Sequence, residues 1–212
     1  MSTSVSTAFP DLLRERLRGV VDLEPGQIEM LETHYELLVR WNRVVNLTSV
    51  TKPVEIVERH YCESLFVGAN LPQGELSMAD IGSGAGFPGI PIAILRPECR
   101  VALVESHQRK AVFLKETTRG LPNARVLAVR AESLSEEFDW VVSRAVSYEH
   151  LAAVLANRAR NIALLTGAEQ PPADAGFDWA PALKLPWGKQ RFLRFGHVSR
   201  ETGTSSGEVV LT

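Results

Sequence analysis

Cysteine is scarce in this 212-residue chain: two thiols, Cys62 and Cys99, are too few for a disulfide framework or a four-sulfur zinc site. They read as buried thiols of a reducing compartment. Long apolar runs are missing as well. No stretch reaches the roughly 18 residues a membrane helix needs. Met1–Pro10 has no basic segment ahead of an apolar run, which argues against a secretory signal. Positive charge is not in excess: the net charge is −2, with −4 over residues 1–139 and +2 over residues 140–212. Bulk attraction to nucleic acid is therefore excluded, and any such contact must be a local patch. A cytoplasmic enzyme with no membrane contact and no metal, acting as a monomer, is the expectation.

Hydrophobic residues make up 45% and charged residues 23%, which excludes wholesale disorder. Apolar periodicity predicts helices over Asp11–Val21, from Ile28 to Trp41, and over Val54–Val67. After Pro72-Gln73-Gly74 the texture changes. Strand-like runs at Ser77–Ile81, Arg100–Val104, Ala124–Val129, Phe138–Ser143 and Asn161–Thr166 alternate with helical patterns at Gly89–Leu95, His107–Arg119 and Tyr148–Arg158. That alternation implies α/β architecture: a parallel sheet wrapped by helices, Rossmann-like, over 74–212, preceded by a helical extension over 1–73 that packs on it. Gln190–Val198 and Glu208–Leu211 suggest an antiparallel hairpin at the sheet edge.

The strongest local signal is Asp80-Ile81-Gly82-Ser83-Gly84-Ala85-Gly86-Phe87-Pro88-Gly89, which closes the first strand and opens a helix. Gly82, Gly84 and Gly86 let the backbone approach a ligand and take positive φ. Glu105 lies at the end of the second strand, where an acidic side chain takes the ribose hydroxyls of an adenosine cofactor. The bland alternative is a structural glycine-rich turn. The spacing is not the dinucleotide Gly-x-Gly-x-x-Gly, because Phe87 occupies the sixth position, and no Gly-Lys-Ser/Thr is present, which excludes a P-loop. Acid-x-Gly-x-Gly-x-Gly resembles motif I of the class I S-adenosylmethionine-dependent methyltransferases. That likeness would put Asp80 near the methionine end of the cofactor.

Further motifs narrow the resemblance. Trp41-Asn42-x-x-x-Asn46-Leu47-Thr48-Ser49, Arg59-His60 with Glu63-Ser64, Asp80–Pro91, Arg96-Pro97-Glu98, Arg109-Lys110-x-x-Phe113-Leu114, Ala131-Glu132 and Ser143-Arg144-Ala145 together resemble the RsmG or GidB family, over roughly residues 10–200. The family more often has Asp at the position of Glu63. This resemblance implies S-adenosyl-L-methionine as cofactor, with contacts from Gly82, Phe87, Ala131, Glu132 and Arg144. It implies methyl transfer to guanine N7 in 16S rRNA of the small ribosomal subunit. Thr166 stands where the family usually has a lysine. Two alternatives remain open at this point: a small-molecule methyltransferase, and an inactive relative that binds cofactor and RNA.

Guanine N7 offers an in-plane lone pair and no proton, so its methylation needs positioning rather than a base. No catalytic dyad is expected, and Arg144, His60, Glu63 and Asn46 are the positioning candidates. His60, Glu63 and Ser64 share a helix face at i, i+3, i+4, either as an active-site wall or as a hydrogen-bonded helix contact. A metal on His60 and Glu63 is not expected, for want of a third ligand. Asn46 also suits a turn, and Trp41 suits the core. Lys184–Arg200 carries five cations and no acid, interleaved with Trp187, Phe192 and Phe195. Lys189, Arg191 and Arg194 are its RNA-binding candidates, and the family pattern also has Arg at the position of Arg191. The alternative is an edge strand with aromatics inward and cations in water.

Overall fold

The computed structural model describes residues 4–144, 151, 158–169, 171 and 177–198. The first third is helical: α1 (Ser4–Leu17), α2 (Pro25–Trp41), α3 (Pro53–Ile56), a π-helical turn (Val57–Cys62) and α4 (Glu63–Asn70). Helix α1 starts seven residues ahead of the expected Asp11 and runs through Pro10, because Phe9, Leu13 and Leu17 bury one common face. Helix α2 begins with Pro25 at its first position and a reciprocal capping box between Glu24 and Gln27. Gln27 also donates to the carbonyls of Ile94 and Leu95, at 3.1 and 3.3 Å. The single helix expected over Val54–Val67 is three segments end to end, the middle one π-helical.

The rest alternates as expected: β1 (Ser77–Ile81), α5 (Gly89–Leu95), β2 (Arg100–Val104), α6 (Gln108–Thr117), β3 (Ala124–Leu127), β4 (Phe138–Arg144), β5 (Ala159–Thr166), β6 (Phe177–Trp179), β7 (Leu183–Lys184) and β8 (Phe192–Val198). Strand β3 stops two residues before the expected Val129. The chain turns away there to form a pocket wall at Val129–Glu132. Among the described residues the strand order is β3-β2-β1-β4-β5-β8-β6, with β7 also paired to β8. Strands β1 to β5 are mutually parallel, and β8 runs antiparallel to β5. Strand β8 is not an edge: β5 flanks it on one side, and β6 and β7 pair with its other side. The helix expected over Tyr148–Arg158 lies almost wholly outside the described residues, and the strand expected over Glu208–Leu211 lies entirely outside them.

Alternation along β1 divides the core. Met78 joins the larger cluster, which runs from Phe9, Leu31 and Tyr61 through Phe113 to Leu193. Ala79 and Ile81 face the smaller cluster with Val104, Val141 and Ile162. The helical extension and one sheet face thus share a continuous core. Aromatic rings seal it: Phe9 stacks on Tyr35 at 4.5 Å, and Trp41 meets Phe113 edge-on at 5.8 Å. Trp41 is partly buried and packs against this core, as expected. No described helix is long and apolar enough to cross a membrane.

Candidate cofactor and active site

Ligands of open α/β sheets bind outside the carboxyl ends of the strands, where the strand order reverses. Here that point lies between β1 and β4. The register pairs Ile81 with Val104 on one side and with Ser143 on the other. The next residues, Gly82, Glu105 and Arg144, therefore emerge at one level of the sheet. A cavity of about 350 Å³ opens at the other end, beside Ser77, Arg100, Ala124 and Phe138, where these strands begin. A smaller one of about 240 Å³ lies at the carboxyl ends, lined by Gly82, Glu105, Ser106, Val129, Arg130, Ala131 and Glu132 among others. Topology favours the smaller one as the cofactor pocket, and its size suits part of a nucleoside cofactor rather than the whole.

The glycine-rich turn is tied down from both sides. Gly82 and Ser83 N–H groups donate to Val104 O at 3.0 and 3.1 Å, and Gly86 N–H donates to Ser83 O at 2.7 Å. Glu105 accepts from Gly84 N–H through Oε2 at 2.9 Å and from His107 N–H through Oε1 at 2.7 Å. A carboxylate has about four lone-pair sites, so each oxygen keeps acceptor capacity for a ligand hydroxyl. Gly84 sits at φ +57°, and an added Cβ would meet only Gly82 O at 3.7 Å. Gly86 differs. A Cβ there would meet Ile90 Cδ1 at 2.4 Å, so this glycine serves packing against α5, not only ligand approach.

Asp80 is wholly buried, and its Oδ2 accepts from Gly89 N–H at 2.9 Å. Among the described residues its Oδ1 has no hydrogen-bond partner. Burial pushes this carboxyl up to about 7, against the pull of the Gly89 bond. A cavity at the carboxyl ends of the strands, bordered by Gly82 and by a Glu105 carboxylate with acceptor capacity to spare, fits a ligand that brings ribose hydroxyls, and the buried acid Asp80 beneath the turn suits a ligand that carries positive charge. The residues present therefore suit S-adenosyl-L-methionine.

Beyond the turn, His60 stacks on Phe87 at 4.8 Å, and the Arg144 guanidinium lies 5.7 Å from the same ring. Phe87 is buried, so its ring belongs to this cluster. Arg144 Nη1 donates to Arg59 O at 2.6 Å and to His60 Nδ1 at 2.7 Å. His60 Nε2 meets Thr48 Oγ1 at 2.8 Å. Burial first, and the Arg144 charge second, bring His60 down to about 3, so the ring is neutral. Burial likewise lowers Arg144 to about 10.

Glu63 supports the Arg144 charge from nearby and spends its own hydrogen bonds on a different arginine. His60 lies in the π-helical turn, which uses i→i+5 bonding, while Glu63 and Ser64 open α4. Ser64 Oγ donates to the His60 carbonyl. Glu63, fully buried, accepts from Arg191 Nε at 2.9 Å and Nη2 at 2.6 Å. The pair ties α4 to the residue just before β8.

The three RNA-binding candidates of the basic segment sit in different surroundings. Arg191 points inward to Glu63. Arg194 is buried, with Nε on Thr166 Oγ1 at 3.1 Å and Nη2 on Glu169 O at 3.2 Å. Thr166, where the family usually has lysine, is thus an acceptor for an arginine. Trp187 Nε1 donates to Arg16 O at 3.1 Å, so this ring is structural. Lys189 alone of the three RNA candidates is exposed, and Arg200 lies outside the described residues. Asn46 is exposed. Asn42 builds the turn instead: its Oδ1 accepts from Leu47 and Thr48 N–H, both at 2.9 Å.

Sequence reasoning missed His34. Buried, it bonds Tyr61 OH through Nδ1 at 2.8 Å and Ala85 O through Nε2 at 3.1 Å. It joins the extension to the middle of the glycine-rich turn. Nothing in its helical spacing distinguishes it from a neighbour of the apolar stripe. Cys62 and Cys99 are buried free thiols, and burial raises both.

This arrangement is a Rossmann-like α/β domain with a glycine-rich ligand turn at its switch point. Solved structures share the fold: a SAM dependent methyltransferase from Aquifex aeolicus aligns with TM-score 0.56 at 16% identity, covering 73% of this chain and 97% of that one. Aeropyrum pernix fibrillarin with natively bound S-adenosyl-L-methionine aligns with TM-score 0.51 at 17% identity, covering 63% and 73%. The profile of the GidB family, described as rRNA small subunit methyltransferase G, matches residues 27–169, and the chain belongs to this family. It is 47% identical over 153 residues to the ribosomal RNA small subunit methyltransferase G of Xanthomonas axonopodis pv. citri, covering 69% of this chain and 70% of that one. With the protein of that name from Xylella fastidiosa strain M23 the identity is 44% over 136 residues, and the match spans only 59% of the relative's length.

Proposed function

We propose that this chain, as a cytoplasmic monomer, transfers a methyl group from S-adenosyl-L-methionine to N7 of a guanine in 16S rRNA of the small ribosomal subunit. The observation that carries the reading is the convergence of Gly82, Glu105 and Arg144 at one level of the sheet edge, in a chain of this family. When bound, the cofactor supplies a sulfonium-activated methyl group. Glu105 would accept from its ribose hydroxyls, Ala131 and Glu132 would border its adenine, and Asp80 would lie at its methionine end. Arg144 would stand at the boundary between cofactor and target base. No proton has to leave guanine N7, so alignment is the main demand on the protein. The neutral His60, with both ring nitrogens committed, agrees with a positioning role.

Transfer of a tritiated methyl group onto small-subunit RNA from a strain lacking the modification, with the methylated position mapped, tests the reading. Label on an adenine, on a guanine amino group or on no RNA overturns it. Turnover on a small molecule without RNA favours the small-molecule alternative. Cofactor binding without transfer favours the inactive one.

Two variants test the cofactor pocket. Glu105→Ala removes the ribose acceptor and frees Gly84 N–H, so it should weaken S-adenosyl-L-methionine and its demethylated product by about 1.5–3 kcal/mol. A loss under about twofold by calorimetry would detach Glu105 from the ribose. Gly84→Val should stay folded, at a cost of about 1–3 kcal/mol for a side chain at positive φ. Its cofactor binding should vanish, and unchanged affinity would remove the turn from the site.

A further inference from the structure

Arg144 has five N–H donors and no acceptor, and it stays protonated. Among the described residues Nη1 alone is committed, to Arg59 O and His60 Nδ1. Among the described residues Nε and Nη2 have no acceptor. The described residues hold one edge of the guanidinium and leave the other without a partner among them.

The tautomer of His60 follows from this contact. A guanidinium can only donate, so Nδ1 must offer its lone pair, and the ring proton sits on Nε2. Nε2–H then needs an acceptor, and Thr48 Oγ1 lies at 2.8 Å. The same oxygen accepts from Val50 N–H at 3.1 Å. Both lone pairs of the hydroxyl are used as acceptors, which fixes the direction of every bond in the chain. Thr48 is itself held by the turn that Asn42 closes: Asn42 Nδ2 donates to Thr48 O at 3.0 Å, and Thr48 N–H donates to Asn42 Oδ1. Stacking on Phe87 fixes the plane of the His60 ring. Phe87 belongs to the glycine-rich turn itself.

We propose that Thr48 and His60 are positioning residues for methyl transfer: the Thr48 hydroxyl accepts from Nε2–H and so fixes the tilt of His60, and His60 holds Nη1 of Arg144 so that its Nε–Nη2 edge faces cofactor and target base. The inference rests on the methyl-transfer reading of this site. It assigns the Asn42–Ser49 turn a task beyond packing, because the turn sets the distance between the extension and the end of β4. Neither residue touches the reacting atoms in this account.

The experiment pairs disruptive with conservative variants. Thr48→Val keeps the shape and removes the acceptor, and Thr48→Ser keeps the acceptor. His60→Phe keeps the ring on Phe87 and removes both nitrogens, whereas His60→Asn retains an acceptor near Arg144. Thr48→Val and His60→Phe should lower kcat on small-subunit RNA by about ten- to a hundredfold, as expected for a misplaced reacting geometry. S-adenosyl-L-methionine Kd should move less than about threefold, and Tm by a few degrees at most. Thr48→Ser and His60→Asn should recover most of kcat. Nitrogen-15 NMR of the wild type, read without any turnover, should show His60 protonated at Nε2 only, and Thr48→Val should shift that signal.

A Thr48→Val protein with kcat within about twofold of wild type overturns the proposal. So does a Thr48→Ser protein as impaired as Thr48→Val, or a wild-type His60 protonated at Nδ1. A wild type that methylates no RNA overturns the proposed function, and the tautomer measurement then still decides the hydrogen-bond chain. If the disruptive variants fail to fold, Thr48→Ser and the wild-type spectrum carry the decision.

Discussion

Replacing Glu63 by alanine should cost about 3–5 kcal/mol of stability, the usual effect of removing one member of a buried ion pair. For a chain of this length that is a fall in Tm of roughly 6–20 °C. The Glu63 side chain is 1% exposed and that of Arg191 is 26% exposed, so water relieves part of the stranded charge and the lower half of the range is expected. The loss is more than one bidentate contact. Glu63 is also the acid whose charge most supports Arg144, while Arg191 and Arg59 oppose it. Without Glu63, three guanidinium groups crowd one corner with only the distant Asp80 in compensation. Paired replacement by apolar residues of similar volume, Glu63→Leu with Arg191→Met, should recover most of the stability, because neither charge is then stranded. Thermal melts of the single and double variants check this. A Glu63→Ala protein within about 1 kcal/mol of wild type would show that the pair does not fasten α4 to β8.

The same geometry changes what Arg191 should do in RNA binding. A cation that neutralises a phosphate releases counterions, and its removal flattens the salt dependence of binding. Arg191 already neutralises Glu63. Arg191→Gln should therefore lower Tm and leave the salt slope unaltered, whereas Lys189, exposed on the turn before β8, remains available to phosphate.

What was legible in the sequence follows a physical rule. Backbone requirements leave marks on residue type. The glycine-rich turn, the strand starts and the acid after β2 could be read directly, because each is a local demand. Family likeness supplied Arg144 and Ala131-Glu132, and the register of β1 with β2 and β4 brings Arg144 level with Gly82 and Glu105. Long-range pairings leave no such mark. Glu63 and Arg191 are 128 residues apart, and nothing local distinguishes an arginine aimed at a buried carboxylate from one aimed at a phosphate. The position of β8 was misread for a related reason. An alternating cationic and aromatic strand suits an edge, and only the addition of β6 and β7 makes it internal. Helical spacing takes 3.6 residues per turn throughout, and nothing in the residues of Val57–Cys62 announces the π-helical turn found there.

The stability gained by Asp80→Asn should grow with pH. Burial raises the Asp80 carboxyl from its ordinary 3.8 to about 7 in the folded chain. While the group is protonated in both states, folding carries no charge penalty. Stability is therefore full below about pH 4 and falls as pH rises through 7, by on the order of 4 kcal/mol for a shift of this size. Asparagine retains an oxygen for Gly89 N–H and cannot ionise. The variant should match wild type near pH 4.5 and exceed it at pH 8.5. His34 and His60 slope the other way, since burial holds them near 4 and 3, below their ordinary 6.5, so their contribution is lost as pH falls from 6.5. They are common to both proteins and cancel in the difference. Cofactor binding should invert the order. A ligand whose cationic group meets the unpartnered Oδ1 favours the carboxylate, so binding near pH 6 should release a proton, seen as a heat that varies with buffer ionisation. Asp80→Asn should bind more weakly and release none. A stability difference that stays flat from pH 4.5 to 8.5 would mean that Asp80 is ionised throughout, and that Oδ1 is already satisfied before any ligand arrives.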